Sequence, residues 1–454
     1  MAYNLLSLLK IPAGRWRWRI PLAGFLLALM GGFAYAWGVL VPPLMERFGW
    51  TKAEAVMPFT VFLVVFALVM VPAGRLQDRY GPRVISAVGA VLFMVAYGLA
   101  AMIGTYPHAW WLVLSYGVIG GAACGLTYAC VAPAAHKWFP DRPGFAVSTA
   151  VMGFGLAALI VAPLKTEYLL IVHGIEGTFL IIGGLSMVVC LLASWMIDNP
   201  PKDWAPPNWK PGLKATGAKA TELDFTPREI IGTSLFWMIW VMMVSVTSGG
   251  FIAIGFVPAY GLSIGLSATD AAVAIAIFAA FNGFGRPVAG YLADHYGTIP
   301  VMLITYVIQA ATLLTFPVIA ITLPGLYLYS ALLGWGFAVT LGLFPVLTSS
   351  FFGVKHPGAN YGLVFTAFGA GALAPTLGSW IYDQTGGYAP AFIISGILAC
   401  LGLILCVVIR KQYSSHGGQK KIVSILPNNQ ERITQVAPRN GNRQLEEEIW
   451  HPDG

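Results

Sequence analysis

The sequence predicts an all-α polytopic membrane protein, with twelve transmembrane helices in two six-helix bundles related by a pseudo-two-fold repeat. Three observations predict it. The 454-residue chain is 57% hydrophobic and only 10% charged, with a mean hydropathy of +0.73, against roughly one-quarter charged in a soluble domain. Its apolar runs are each about 20 residues long, enough to cross a hydrocarbon core about 30 Å thick. A short motif also recurs in the two halves at a fixed spacing.

The runs fall at about 20–43, 55–74, 84–105, 109–134, 145–171 and 177–197 in the first half. In the second they fall at about 231–261, 268–292, 299–320, 324–350, 360–382 and 388–410. The chain thus divides into an N-terminus 1–19, a bundle 20–197, a central loop 198–230, a bundle 231–410 and a tail 411–454 that reads as disordered. "GRWRWR" precedes a span too long for a signal sequence, so the first span is expected to stay.

Lysine and arginine set the orientation. One side collects Lys10, Arg15, Arg17, Arg19, Arg75, Arg79, Arg83, Lys137, Arg142, Lys355, the central loop and the tail; the other has only Arg47, Lys52 and Lys165. The asymmetry predicts both termini in the cytoplasm of a cell whose inner or plasma membrane holds the protein. The net charge of +7 is then a topology signal, and a nucleic-acid partner is excluded. Lipid is the expected partner of Trp16, Trp18, Trp110, Trp111 and Trp209, near span ends. All five cysteines fall inside spans, where small apolar thiols are ordinary packing groups, so no disulfide and no metal site are expected. Paired carboxylates, a triad and metal-ligand spacing are all lacking, which argues against an enzyme and a cofactor.

"GRLQDRYGPR" at 74–83 and "GYLADHYGTI" at 290–299 share G-x-L-x-D-x-Y-G, displaced by 216 residues. "HKWFPDRPGFA" at 136–146 and "SFFGVKHPGAN" at 350–360 share an aromatic pair and Pro-Gly, displaced by 214. Two echoes at nearly one offset indicate duplication. Parallel repeats of six helices are one architecture of secondary transporters, which rock about a central site. In the motif loop Gly74 and Gly81 permit a tight turn. Asp78, matched by Asp294 in the second copy, can cap a helix or pair with an arginine of another helix, while Arg79 and Arg83 face the inner leaflet. These six are the candidate gating residues; the alternative is a plain solvated loop. "GRLQDRYGPR" resembles the signature loop of the major facilitator superfamily, and the resemblance spans essentially 11–412.

Arg286, in "FNGFGRPVAGYLADHYG", stands inside the eighth span, where a charge costs about 2.5–3.5 kcal/mol on insertion scales. No Asp or Glu falls clearly within a span; Asp270, Asp294 and Asp383 sit at ends. A carboxylate ligand can supply the missing charge through a bidentate pair. Alternatively, Arg286 can snorkel, bind backbone carbonyls near Pro287, or reach a terminal Asp. Asn282 shares its helical face and can contact substrate or a neighbouring helix.

"GRWRW…GGFAYAWGVLVPPLMERFGWT", "TYACVAPAAHKWFPDRPG", "FNGFGRPVAGYLAD" and "GANYGLVFTAFGAG" together resemble the oxalate:formate antiporter and bacterial monocarboxylate transporter group. That group is similar to the eukaryotic monocarboxylate transporters, whose eighth helix carries Arg-Pro, as Arg286-Pro287 does here. The resemblance implies substrate-site roles for Tyr128 and Tyr35, and places Phe368 where the oxalate carrier has a second cation. It places Asn282 where the eukaryotic transporters have an aspartate linked to proton coupling, so that route is closed here. Phe365, Phe368, Phe154 and Trp335 can line an apolar pocket for a short tail, or simply be core. The expected function is secondary transport of a small organic monoanion such as lactate or pyruvate, by exchange or proton-linked symport, in a monomer. The alternatives are an oxalate/formate-type antiporter and a non-transporting receptor.

Overall fold

The computed structural model describes residues 16–201, 204–206 and 224–413. Trp209 and nearly all of the 1–19 and 411–454 segments lie outside them. Among the described residues there are helices and turns and no strand. Eleven helical segments are long and apolar enough to cross a membrane. They are α1 Arg19–Phe48, α2 Lys52–Tyr80, α3 Pro82–Gly104, α4 Ala109–Trp138, the joined pair α5 and α6 within Pro143–Met196, α7 Ser234–Ser263, α8 Ala268–Tyr296, α9 Thr298–Ile319, α10 Leu323–Phe352, α11 Pro357–Thr385 and α12 Ala389–Gln412.

Pro143–Met196 contains 54 residues, far more than one pass requires. It turns at Gly174 (φ 64°, ψ −169°), a conformation that favours glycine, so the segment makes two passes and the described residues make twelve. The sequence separates the fifth and sixth spans by several residues, but here helical turns run almost to the reversal itself.

Local chemistry sets several helix starts. Thr51 and Glu54 form a reciprocal capping box on α2, while Ser267 caps α8 through the Asp270 amide. Thr233 and Thr322 do the same for α7 and α10. Prolines inside α2, α5, α7, α8, α9 and α10 interrupt single backbone bonds that packed neighbours tolerate. The second bundle is led in by a short helix, Pro227–Ile231, ended at Gly232. Trp18 and Trp110 are exposed, as lipid-facing anchors would be.

The halves meet along two helix pairs, α2 with α11 and α5 with α8. Glycine permits the approach. A Cβ on Gly74 of α2 would overlap the Gly358 carbonyl oxygen, and one on Gly290 of α8 would overlap that of Gly144. These two collisions are the same event in the two repeats, 216 residues apart in one partner and 214 in the other.

Candidate functional site

At the end of the bundle that carries the Gly81 and Gly297 turns (φ 85° and 91°), the two motif copies reach across the pseudo-two-fold. Asp78 Oδ1 and Oδ2 accept from the amides of Gly358 and Ala359, at 3.3 and 2.9 Å. Asp294 Oδ1 and Oδ2 accept from Gly144 and Phe145, at 2.7 and 2.8 Å. Each carboxylate therefore caps, from the opposite half, the first turn of a helix that begins Pro-Gly. Those amides have no partner within their own helix, and the positive end of the helix dipole favours the anion. Proline at the first position loses nothing, because its missing N–H would be an orphan there. The motif echo and the Pro-Gly echo are thus the two sides of one contact, made twice.

Arg79 and Arg83 do not join this clamp. Arg83 pairs at 3.5 Å with Asp198, which Arg19 also holds at 2.8 Å, within the first half. Arg79 is exposed and lies over the ring of its neighbour Tyr80. Of the two roles open to Asp78, the structure has the helix cap and not the arginine pair.

Arg286 lies on α8, deep between the halves and 0% exposed. Nε donates to the Asn282 carbonyl at 3.2 Å, Nη2 to Asn282 Oδ1 at 3.0 Å, and Nη1 to the Val151 carbonyl of α5 at 2.5 Å. It does not snorkel, and Asp294, the nearest acid along its helix, is engaged with α5. Backbone carbonyls hold it, but the near one is that of Asn282 and the other belongs to the opposite half. Asn282 serves as a brace that fixes the guanidinium plane. No carboxylate pairs with Arg286 among the described residues. Three of its five N–H donors are used, and one on each Nη is left.

Around the guanidinium stand three buried tyrosine hydroxyls, of Tyr35, Tyr128 and Tyr361, within reach of its charge. None has a well-formed hydrogen bond among the described residues. A buried hydroxyl without a partner costs about 1–3 kcal/mol, so three at one place call for an explanation. Tyr361 was not singled out from the sequence. Its signal was present, because Tyr361, Phe365 and Phe368 follow i, i+4, i+7 on α11.

The aromatic lining extends beyond the predicted set. Phe154 stacks on Phe66 at 5.7 Å and meets the edges of Tyr35 and Tyr128 at 5.0 and 5.4 Å between centroids. Phe365 and Phe368 stack at 4.7 Å, and Phe368 continues to Phe251 and Phe337. Phe66, Phe251 and Phe337 come from mid-span positions that nothing in the sequence separates from ordinary core. Trp335 is not brought here. Its half-buried ring packs against Gly285 and makes no ring contact with the cluster among the described residues.

One basic residue counted from the sequence on the side opposite the termini is buried. Lys165, within the run 145–171, lies inside the continuous α5–α6 segment and is 2% exposed.

A family profile described as Major Facilitator Superfamily matches residues 22–374 and 269–431. Among curated relatives, the oxalate:formate antiporter of Oxalobacter formigenes is 28% identical over 404 residues, covering 87% of this chain and 91% of its own. Monocarboxylate transporter 11 of Homo sapiens is 25% identical over 431 residues, covering 89% and 85%. Among solved structures, the E. coli fucose:proton symporter superposes with a TM-score of 0.63 at 14% identity, covering 86% of this chain and 98% of its own. The proton:xylose symporter XylE gives 0.63 at 15%, covering 88% and 96%. At these identities the structural likeness speaks for the fold alone.

Proposed function

The chain belongs to the Major Facilitator Superfamily, whose members are transporters and not enzymes, and from that premise we propose that it carries a small organic monocarboxylate across the cell membrane by alternating access. One observation carries the reading: a buried guanidinium with two N–H groups to spare stands among three buried tyrosine hydroxyls, and no carboxylate pairs with it among the described residues. A carboxylate supplies what is missing. Its two oxygens take the paired N–H groups side by side and still accept from the phenols. The phenyl rings of Phe154, Phe365, Phe368, Phe66, Phe251 and Phe337 suit a short apolar tail of the lactate or pyruvate kind.

The same atoms couple binding to movement. Arg286 ties α8 to the Val151 carbonyl of α5, so a carboxylate bound to its remaining N–H groups sits at the junction of the halves. Loading thus neutralises the centre, while the empty carrier keeps a bare cation. Exchange is then easier than return of the empty form. The clamps of Asp78 and Asp294 hold one end shut and must break for that end to open. The charge asymmetry makes that end cytoplasmic, with both termini on the same side.

A dicarboxylate exchanger is the second reading, favoured by the relative named an oxalate:formate antiporter. Against it stands the single cation at this centre among the described residues, since a second carboxylate would be buried unpaired. Thermal unfolding of the purified protein with a panel of mono- and dicarboxylates decides between them. A ligand that binds only the folded state at 100 times its Kd adds about 2.7 kcal/mol. Stabilisation by monocarboxylates that falls to a small fraction of its wild-type size in Arg286→Ala is expected; stabilisation by neutral or cationic compounds alone would overturn the proposal.

A further inference from the structure

Burying an ammonium costs several kcal/mol unless a carboxylate or a set of acceptors compensates it. Lys165 has neither: it is 2% exposed, and it makes no hydrogen bond or ion pair among the described residues. Of the other acids at this end, Glu176 is engaged with Arg47, Glu54 with Thr51 and Asp270 with Ser267, while Glu46 and Asp383 are exposed. Glu167, two residues on, is exposed on another face of the helix.

Its position on α5 is informative. Lys165 follows Phe154 by eleven residues, which is three helical turns and about 16 Å. It therefore lies on the face whose Phe154 ring touches Tyr35, Tyr128 and Phe66 in the central cluster. From the first turn of α5, where Asp294 caps the helix, Lys165 is about 33 Å away, near the opposite end of the bundle. It also opens the π-type turn Lys165–Leu169, and such widened turns inside long helices recur at functional sites.

We propose that Lys165 is a second anion-binding station, at the end of the bundle opposite the Asp78 and Asp294 clamps, where its ammonium takes the carboxylate of the organic anion on its way to or from Arg286. The inference rests on the carboxylate reading of the central site. It does not turn the carrier into a dicarboxylate exchanger, because the two cations stand too far apart to share one small molecule. A point charge suits such a station better than a fork, since the anion must be released again in either direction.

The test uses full-length protein in vesicles of defined sidedness, with lactate as probe. Lys165→Gln is expected to raise the half-saturating lactate concentration about fivefold or more from the unclamped face, with less than a twofold change from the other, and Lys165→Arg to restore it. A structural role alone would move both faces together. An unchanged half-saturation, an equal change on both faces, or an arginine variant that behaves as glutamine does would each overturn the proposal.

A second measurement needs no transport. In Arg286→Ala, lactate at high concentration is expected to leave a small residual rise in thermal midpoint that the added Lys165→Gln removes. A residual rise indifferent to Lys165, or none, with wild type stabilised as expected, overturns the station and spares the central site. If lactate, acetate, formate and oxalate all fail to stabilise wild type, both readings fall together.

Discussion

Arg286 Nη1 donates to the Val151 carbonyl at 2.5 Å, so the buried guanidinium at the centre ties α8 of the second half to α5 of the first. The same residue is braced on its own helix by both oxygens of Asn282. Its orientation is fixed by two neighbours while part of its donor set stays unused, and that combination is what a preorganised anion site requires.

Arg286→Lys keeps the charge and removes the fork. Hydrogen bonds to charged groups are each worth about 1.5–3 kcal/mol, so losing one of a bidentate pair should weaken carboxylate binding roughly tenfold or more. Titration of the purified variant with lactate measures this. Wild-type affinity would mean that the guanidinium plane is not used.

Tyr35→Phe, Tyr128→Phe and Tyr361→Phe separate a ligand role from a packing role. Each removes a hydroxyl that makes no well-formed hydrogen bond among the described residues, so unliganded thermal stability should change little, with Tyr128, which lies against Arg286, the most affected. Carboxylate affinity should fall by about 0.5–1.5 kcal/mol per hydroxyl, roughly two- to tenfold. Loss of stability without loss of affinity would reassign that tyrosine to structure.

Asp78→Asn and Asp294→Asn weaken the two caps made across the halves. Each variant should shift the population toward opening at the clamped end, and the double variant should shift it further. Alkylation rates of a cysteine placed on the facing surfaces at that end report the shift. Identical rates in wild type and the double variant would show that the caps do not govern opening.

Gly74→Ala and Gly290→Ala test the same closure sterically. The added methyl would overlap a backbone carbonyl, which cannot move as a flexible side chain can. Both should open the clamped end and slow turnover, while lactate binding measured in detergent should survive at Arg286. A turnover equal to wild type in both would show that the glycine approach is incidental.

The loop before α5 gives a pH test. Burial raises the Asp141 carboxyl, but the Arg17 ion pair at 2.6 and 2.9 Å, together with its own backbone amide and Arg142, holds the group below its usual range. A depressed carboxyl contributes stability that is present above its unfolded value of about 3.9 and is lost as pH falls through the folded one. Asp141→Asn should therefore lower the thermal midpoint at pH 7, and the difference should shrink as pH falls below the ordinary carboxyl value of about 3.9. A difference independent of pH would place its origin in packing.

Much of the fold was legible because its determinants are local. An apolar run of sufficient length declares a pass wherever it packs, and the intramembrane cost of Arg286 is a property of one residue and its depth. The family resemblance rested on motifs of the same local kind, and the profile match over residues 22–374 bears it out. The two repeat echoes were visible as echoes. What they touch was not, because a cap supplied by Asp78 to a helix 280 residues away is a statement about docking and leaves no periodicity in the chain.

The sequence by itself thus determined twelve apolar passes, their duplication, and one arginine too costly to be idle. Only the tertiary structure decided that Asp78 and Asp294 cap the opposite halves, that Val151 holds Arg286, that Trp335 stands apart from the aromatic cluster, and that Lys165 is buried without an acid. The physical reason is the same in each case. Hydrophobicity is additive along a chain and can be read residue by residue, whereas satisfaction of a buried polar group depends on which atoms packing brings within about 3 Å of it.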